Sequence, residues 1–113
     1  RHLPRVLSRP QVDALLDGLA ARAATHDPQA LRDLAMIELL YASALRVSEL
    51  VGLDLGDVDA ARRVVRVLGK GAKERVVPFG VPAARAVAGY LELGRPALLG
   101  DRSGPALFLG ARG

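Results

Sequence analysis

Cysteine and tryptophan are absent from this chain, and lysine nearly so. Without cysteine there are no disulfides and no thiolate metal sites, which fits a reducing compartment. The two histidines, His2 and His26, lie too far from any cluster of ligating residues to suggest a metal centre, so neither metal nor cofactor is expected. No run of about 18 uncharged apolar residues is present, which argues against a membrane span. The first residues lack the hydrophobic stretch of a secretion signal. A soluble, cytoplasmic protein with no membrane partner is the expectation.

What is present points to one packed domain. The chain has 113 residues, 50% of them hydrophobic, enough for a single core. A net charge of +4 and a pI near 10.3 suit a polyanionic partner, although such an excess also occurs in proteins that never touch nucleic acid. Of the 16 basic residues only Lys70 and Lys73 are lysines. The wealth of Ala, Arg, Leu, Val and Gly has the look of a GC-rich coding bias, which accounts for most of the arginines. A lysine pair in such a background raises the question of what arginine cannot do. Arginine keeps its proton near neutrality, whereas lysine, with an unperturbed pKa of roughly 10.4, can donate one and regain it.

Local signals divide the chain into mostly helical segments, and no internal repeat is visible. After an extended Leu3 to Leu7, Ser8 with Pro10 and Gln11 forms a capping-box pattern. Val12, Leu15, Leu16 and Leu19 then share one face of a helix over residues 9 to about 24. Asp27-Pro28 opens a second helix by the same cap-then-proline logic. Its stretch from Leu34 to Leu45 has Glu38 as its sole charge and should be buried nearly all round, Tyr41 included. Val47 to Val51 read as a short helix broken at Gly52. Val64 to Leu68 and Arg75 to Pro78 have strand composition. Gly69 and Gly71 between them supply turn freedom, so the pair reads as a hairpin with Lys70 and Lys73 at its tip. A third helix is expected from Pro82 to Leu93, with Val87, Tyr90 and Leu91 inward and an end near Gly94. Leu107-Phe108-Leu109 reads as a last short strand. The fold class is therefore α+β, mostly helical with a small antiparallel hairpin or sheet.

The glycine-rich turn is not a nucleotide-binding P-loop, which would need Gly where Val64 stands and Ser or Thr in place of Gly71. Alone, a Gly-Lys-Gly tip is a solvated turn, and Arg46 a helix-start arginine. Their order and spacing are more specific. Leu7-Ser8-Arg9-Pro10-Gln11-Val12-Asp13-Ala14-Leu15-Leu16, the arginine box Tyr41-Ala42-Ser43-Ala44-Leu45-Arg46-Val47-Ser48-Glu49-Leu50 and the lysine hairpin Gly69-Lys70-Gly71-Ala72-Lys73-Glu74-Arg75-Val76-Val77-Pro78 together resemble the tyrosine recombinases. The likeness is greatest to the bacterial Xer-type members of the phage integrase superfamily. It runs from Leu7 to Gly113, with Leu107-Phe108-Leu109 and Arg112-Gly113 resembling the strand before the family domain's second half. Where the family has Gly before the Leu-Arg pair, this chain has Ala44, which would cost about 1 kcal/mol if that position needs positive φ.

The resemblance implies the N-terminal part of a recombinase catalytic domain. The core-binding domain, the His-x-x-Arg box and the tyrosine nucleophile are not matched; Tyr41 and Tyr90 read as structural. By resemblance, Arg46 clamps the scissile phosphate, Lys70 is the general acid, Glu49 orients Arg46, and Lys73 and Arg75 contact the DNA phosphate backbone. The implied partners are double-stranded DNA and further recombinase subunits, a tetramer on two DNA sites. The remaining arginines, Arg62 and Arg63 among them, read mostly as solvated faces. Two other readings stay open at this point: a non-catalytic DNA-binding or regulatory module with the same fold, and a helical domain whose basic hairpin binds an acidic protein. The DNA site, and the choice between chromosome-dimer resolution and mobile-element integration, are left open.

Overall fold

A computed structural model describes residues 8–43, 45–68, 73–100 and 103–110 of the chain. The expectations for Leu3 to Leu7, Ala44, Lys70 with its flanking glycines, and Arg112-Gly113 fall outside the described residues.

Helix α1, Arg9–Ala23, starts as its sequence dictates. The Ser8 hydroxyl accepts from the Gln11 amide at 3.3 Å, and the Gln11 side chain accepts from the Ser8 amide at 2.8 Å, so two otherwise unpaired donors are satisfied reciprocally. Val12 and Leu19 are buried while Leu15 stays 41% exposed, a narrower apolar stripe than expected. Helix α2, Pro28–Ser43, is capped by Asp27, whose carboxylate accepts from the Gln29 amide at 3.0 Å. It is amphipathic rather than wholly buried. Ala35 and Leu39 are fully covered, but Tyr41 is 39% exposed, so the expectation that Tyr41 belongs to a buried spine is corrected. The apolar composition was read as burial when the helix has one face turned outward.

A short helix α3, Val47–Val51, follows, then a 3-10 turn, Leu55–Asp57, and a sheet of β1, Val58–Asp59, β2, Val64–Leu68, and β3, Glu74–Pro78. All pairs are antiparallel in the order β1-β2-β3. The expected hairpin is present, with Val67 opposite Arg75 and Leu68 opposite Glu74; the two-residue β1 had no legible signal. Val65 and Val67 point into the core, whereas Leu68 and Val76 on the other face are 64% and 61% exposed. The Ser43 hydroxyl donates to the Pro78 carbonyl at 3.3 Å, tying the end of α2 to the end of β3.

The third helical run goes past Gly94. Helix α4, Val81–Gly89, passes into a π turn, Tyr90–Gly94, and then α5, Arg95–Leu98. Pro96 explains the widened turn. Its ring would collide with the carbonyl four residues back, and the extra residue moves that carbonyl aside. The Arg95 amide accordingly bonds to the Tyr90 carbonyl, five residues earlier. Gly94 is not a helix stop but a point of close approach: a Cβ there would lie 2.9 Å from Tyr90 and 3.0 Å from Leu31 of α2.

Residues 104–109 form no strand within a sheet. They run as a strap that makes one isolated bridge, Asp54 to Ala106, flanked by backbone bonds from Leu55 to Pro105 at 2.8 Å and from Leu107 to Leu53 at 2.9 Å. Side chains satisfy much of its remaining backbone. The fully buried Tyr90 hydroxyl donates to the Leu107 carbonyl at 2.8 Å and accepts from the Leu109 amide at 2.9 Å. Arg95, 8% exposed, donates to the carbonyls of Gly104 and Ala106, and Arg32 donates to that of Leu109 at 3.0 Å. Arg95 and Arg32 thus depart from the expectation that arginines outside the two boxes are solvated.

Replacing Tyr90 by Phe keeps the ring, and its stacking on Phe108 at 5.4 Å, but leaves a buried donor and a buried acceptor unpaired. The expected loss is about 1–3 kcal/mol. Denaturant unfolding followed by circular dichroism measures it, and an unchanged midpoint would contradict the strap's dependence on this hydroxyl.

Candidate functional site

The arginine box and the lysine hairpin lie in separate stretches of chain, and one carboxylate joins them. Arg46 has extended backbone at the N-cap of α3, and its carbonyl accepts the first helical bond, from Leu50, at 3.0 Å. Three residues on, the Glu49 side chain reaches back and accepts the Arg46 amide at 2.9 Å, which is the second half of a capping box. The same carboxylate receives both terminal nitrogens of Arg75 from β3, at 2.8 and 3.0 Å. This is a fork-to-fork pair, the strongest geometry available to arginine and a carboxylate.

Glu49 therefore hydrogen-bonds the Arg46 backbone amide, while the Arg46 guanidinium acts on it only through its charge. Its side chain is only 11% exposed, against 47% for Arg75. The Arg75 hydrogen bonds, followed by that from the Arg46 amide, lower the Glu49 pKa to about 2. Hydrogen bonding to Glu49 likewise raises the Arg75 pKa above its ordinary value.

A similar arrangement recurs in the 3-10 turn that follows α3. Asp57 accepts the Asp54 amide at 2.9 Å, closing the 3-10 turn, and also takes the guanidinium of Arg66 from β2, at 3.0 Å from its terminal nitrogen. Each strand of the hairpin is thus held by an arginine to a capping carboxylate: β3 to Glu49 at the start of α3, and β2 to Asp57 of the 3-10 turn that follows. Between the two pairs runs a cleft of about 360 Å³ whose lining includes Glu49, Asp54, Asp57, Arg66 and Glu74. Among the described residues, no group of three or more His, Asp or Glu side chains could hold a metal ion.

Arg46 itself is exposed and makes no side-chain hydrogen bond or ion pair among the described residues. Its guanidinium is open to a ligand, in contrast to those of Arg66, Arg75 and Arg95. Lys73 is also exposed and immediately precedes β3. Lys70 lies outside the described residues, between the end of β2 at Leu68 and the start of β3 at Glu74. Of the expected site residues, the structure joins Arg46, Glu49 and Arg75 in one network. Sequence reasoning missed the Arg66–Asp57 pair. Its only signal was a charged residue alternating with the valines of a strand, which a solvated face also produces.

The phage integrase family pattern matches residues 5–113. The chain is 56% identical over 113 residues to tyrosine recombinase XerC of Mycobacterium sp. (strain KMS) and 55% identical to that of Mycobacterium leprae (strain TN). Both matches cover 100% of this chain and 38% of the relative, so the chain spans well under half the length of the curated relatives it matches. A crystal structure of XerA recombinase superposes with a TM-score of 0.71 at 28% identity, covering 94% of this chain and 35% of that one. No helix among the described residues is long and apolar enough to cross a membrane.

Glu49 generates a pH prediction. Its folded pKa of about 2 lies below the unfolded carboxylate value of roughly 4.3. The associated stability is present above about pH 4.3 and is lost as pH falls from there towards 2. Glu49→Gln should therefore be less stable than the parent at neutral pH, with the gap closing as pH approaches 2. Unfolding midpoints measured across that range test this, and a gap independent of pH would contradict it.

Proposed function

The chain belongs to the phage integrase family, and from that premise we propose that it is the N-terminal part of the catalytic domain of a tyrosine-type site-specific recombinase acting on double-stranded DNA in the cytoplasm. In such an enzyme a tyrosine oxygen attacks a DNA phosphorus. A 3′-phosphotyrosyl bond forms while the bond to the 5′-oxygen breaks, and the reverse reaction on another strand completes the exchange. The bond energy is retained in the covalent intermediate, so the proposed chemistry needs no metal or nucleotide. Recombinase subunits act together in this reading, four on two DNA sites.

The observation that carries the proposal is the meeting of two motifs at one carboxylate: Glu49 binds both the amide of Arg46 and the guanidinium of Arg75 from the lysine hairpin. Arg46 is assigned to the non-bridging oxygens of the scissile phosphate. Its planar fork makes no hydrogen bond or ion pair among the described residues, which suits charge that develops in the transition state. Lys70 is assigned as the acid that protonates the leaving 5′-oxygen. An alkoxide with a conjugate acid near water's pKa of roughly 15.7 takes a proton downhill from a lysine near 10.4. Glu49 supports the assembly, and the exposed Lys73 is assigned to the phosphate backbone. Tyr90 is no nucleophile in this scheme, because its hydroxyl is buried and makes two backbone hydrogen bonds.

Two outcomes are expected. The 113-residue chain should bind duplex DNA weakly, with little sequence preference and a steep loss of affinity as salt rises, and should form no covalent adduct with a nicked duplex. Titrations at two salt concentrations and a denaturing gel check both; salt-independent binding or a covalent band would count against the reading. In a chain of the relatives' full length carrying this segment, Lys70→Ala should slow cleavage by about 100-fold or more. A duplex with sulfur as the bridging 5′-atom should recover most of that loss, because a thiolate leaves without a proton. Arg46→Ala should gain no comparable rescue. Equal rescue of both variants would refute the division of roles.

A further inference from the structure

Arg75 has the exposure and charge of a phosphate contact, but its geometry differs from that of Arg46. Both of its terminal nitrogens lie on the Glu49 carboxylate. It stands opposite the buried Val67 in the register of β2 and β3, so its side chain leaves the core-facing side of the sheet, not the outer side where Leu68 and Val76 are exposed. Apart from its ladder to β2 and the Ser43–Pro78 hydrogen bond, its strand has little anchorage in the core. β3 lies at the edge of the three-stranded sheet, and only Val77 among its residues is even partly buried.

We infer that Arg75 is a positioning residue and not a phosphate contact: with Glu49 it forms a strut that fixes the hairpin strand to the helix start bearing Arg46. The inference rests on the recombinase reading above and deepens it. The strut acts at two points through one carboxylate. Glu49 holds the Arg46 amide, which sets the backbone from which the phosphate-binding guanidinium projects, and it holds Arg75, which sets the strand that follows Lys70. Arg66 and Asp57 make a similar tie from β2 to the 3-10 turn after α3, so neither strand slides relative to the chain between Arg46 and Asp57 without breaking a charged pair. Lysine in place of Arg75 would keep the charge but lose the two-point grip.

The test compares Arg75→Ala and Arg75→Lys in a chain of the relatives' full length carrying this segment. A positioning role predicts single-turnover cleavage at saturating DNA slowed about 10-fold or more in Arg75→Ala, with only partial recovery in Arg75→Lys, which keeps the charge and loses the two-point grip. The slope of log affinity against log salt should stay that of the parent. The bridging-sulfur duplex should recover much of the loss, as it does for a displaced acid, which a general loss of folding would not show. A slope reduced by about 0.9 with normal cleavage at saturation would make Arg75 a phosphate contact and overturn the inference. No recovery with the sulfur duplex would also overturn it. No cleavage by the unsubstituted chain would instead refute the recombinase reading, and this inference with it.

Discussion

A carboxylate that is partly covered gains from hydrogen bonds and an opposite charge that replace the water it has lost. Glu49 does so with partners drawn from two distant parts of the chain, the Arg46 amide and the Arg75 fork. Asp57 does so in the same way with the Asp54 amide and Arg66. Directional, charge-assisted bonds thereby supplement the apolar anchorage of the hairpin. That anchorage is on β2, through Val65 and Val67, and reaches β3 less: only Val77 of its residues is partly buried, and Leu68 and Val76 face solvent.

Beneath that polar layer the core is ordinary. Ala35 and Leu39 of α2, Val65 and Val67 of β2, and Ala83 and Val87 of α4 pack together with Leu53 and Leu107. The strap at residues 104–109 is the less usual part. It lacks the neighbouring strand that would satisfy its backbone, and Tyr90, Arg95 and Arg32 supply the hydrogen bonds instead. Because the strap also bonds to Leu53 and Leu55, it braces the segment that leads from α3 to Asp57. Core, strap and site are in this sense one connected set of contacts.

Short-range signals were legible. Ser8 with Gln11 and Asp27 with Pro28 mark helix starts because a cap involves only residues within one turn. The hairpin was legible because two valine-rich runs of strand composition are separated by glycines. The positions that misled were those whose role depends on a distant neighbour. Gly94 looked like a helix stop, yet it is small because Leu31 and Tyr90 crowd it. Tyr41 sat in an apolar stretch and faces outward. Arg95 looked like one more solvated arginine and is nearly buried, bound to carbonyls of the strap.

The same boundary runs through the site. The sequence by itself determined which residue types were available and in what order: an arginine at a helix start, a glutamate three residues on, and a lysine-bearing hairpin. Those features follow from local chemistry, and their order was specific enough to identify the family. Only the tertiary structure decided that Glu49 holds an amide and a guanidinium at once, that Arg75 turns inward to meet it, and that Arg46 is left open. A charge declares its partner only when folding has brought two remote segments within hydrogen-bond reach, and no local pattern encodes that distance.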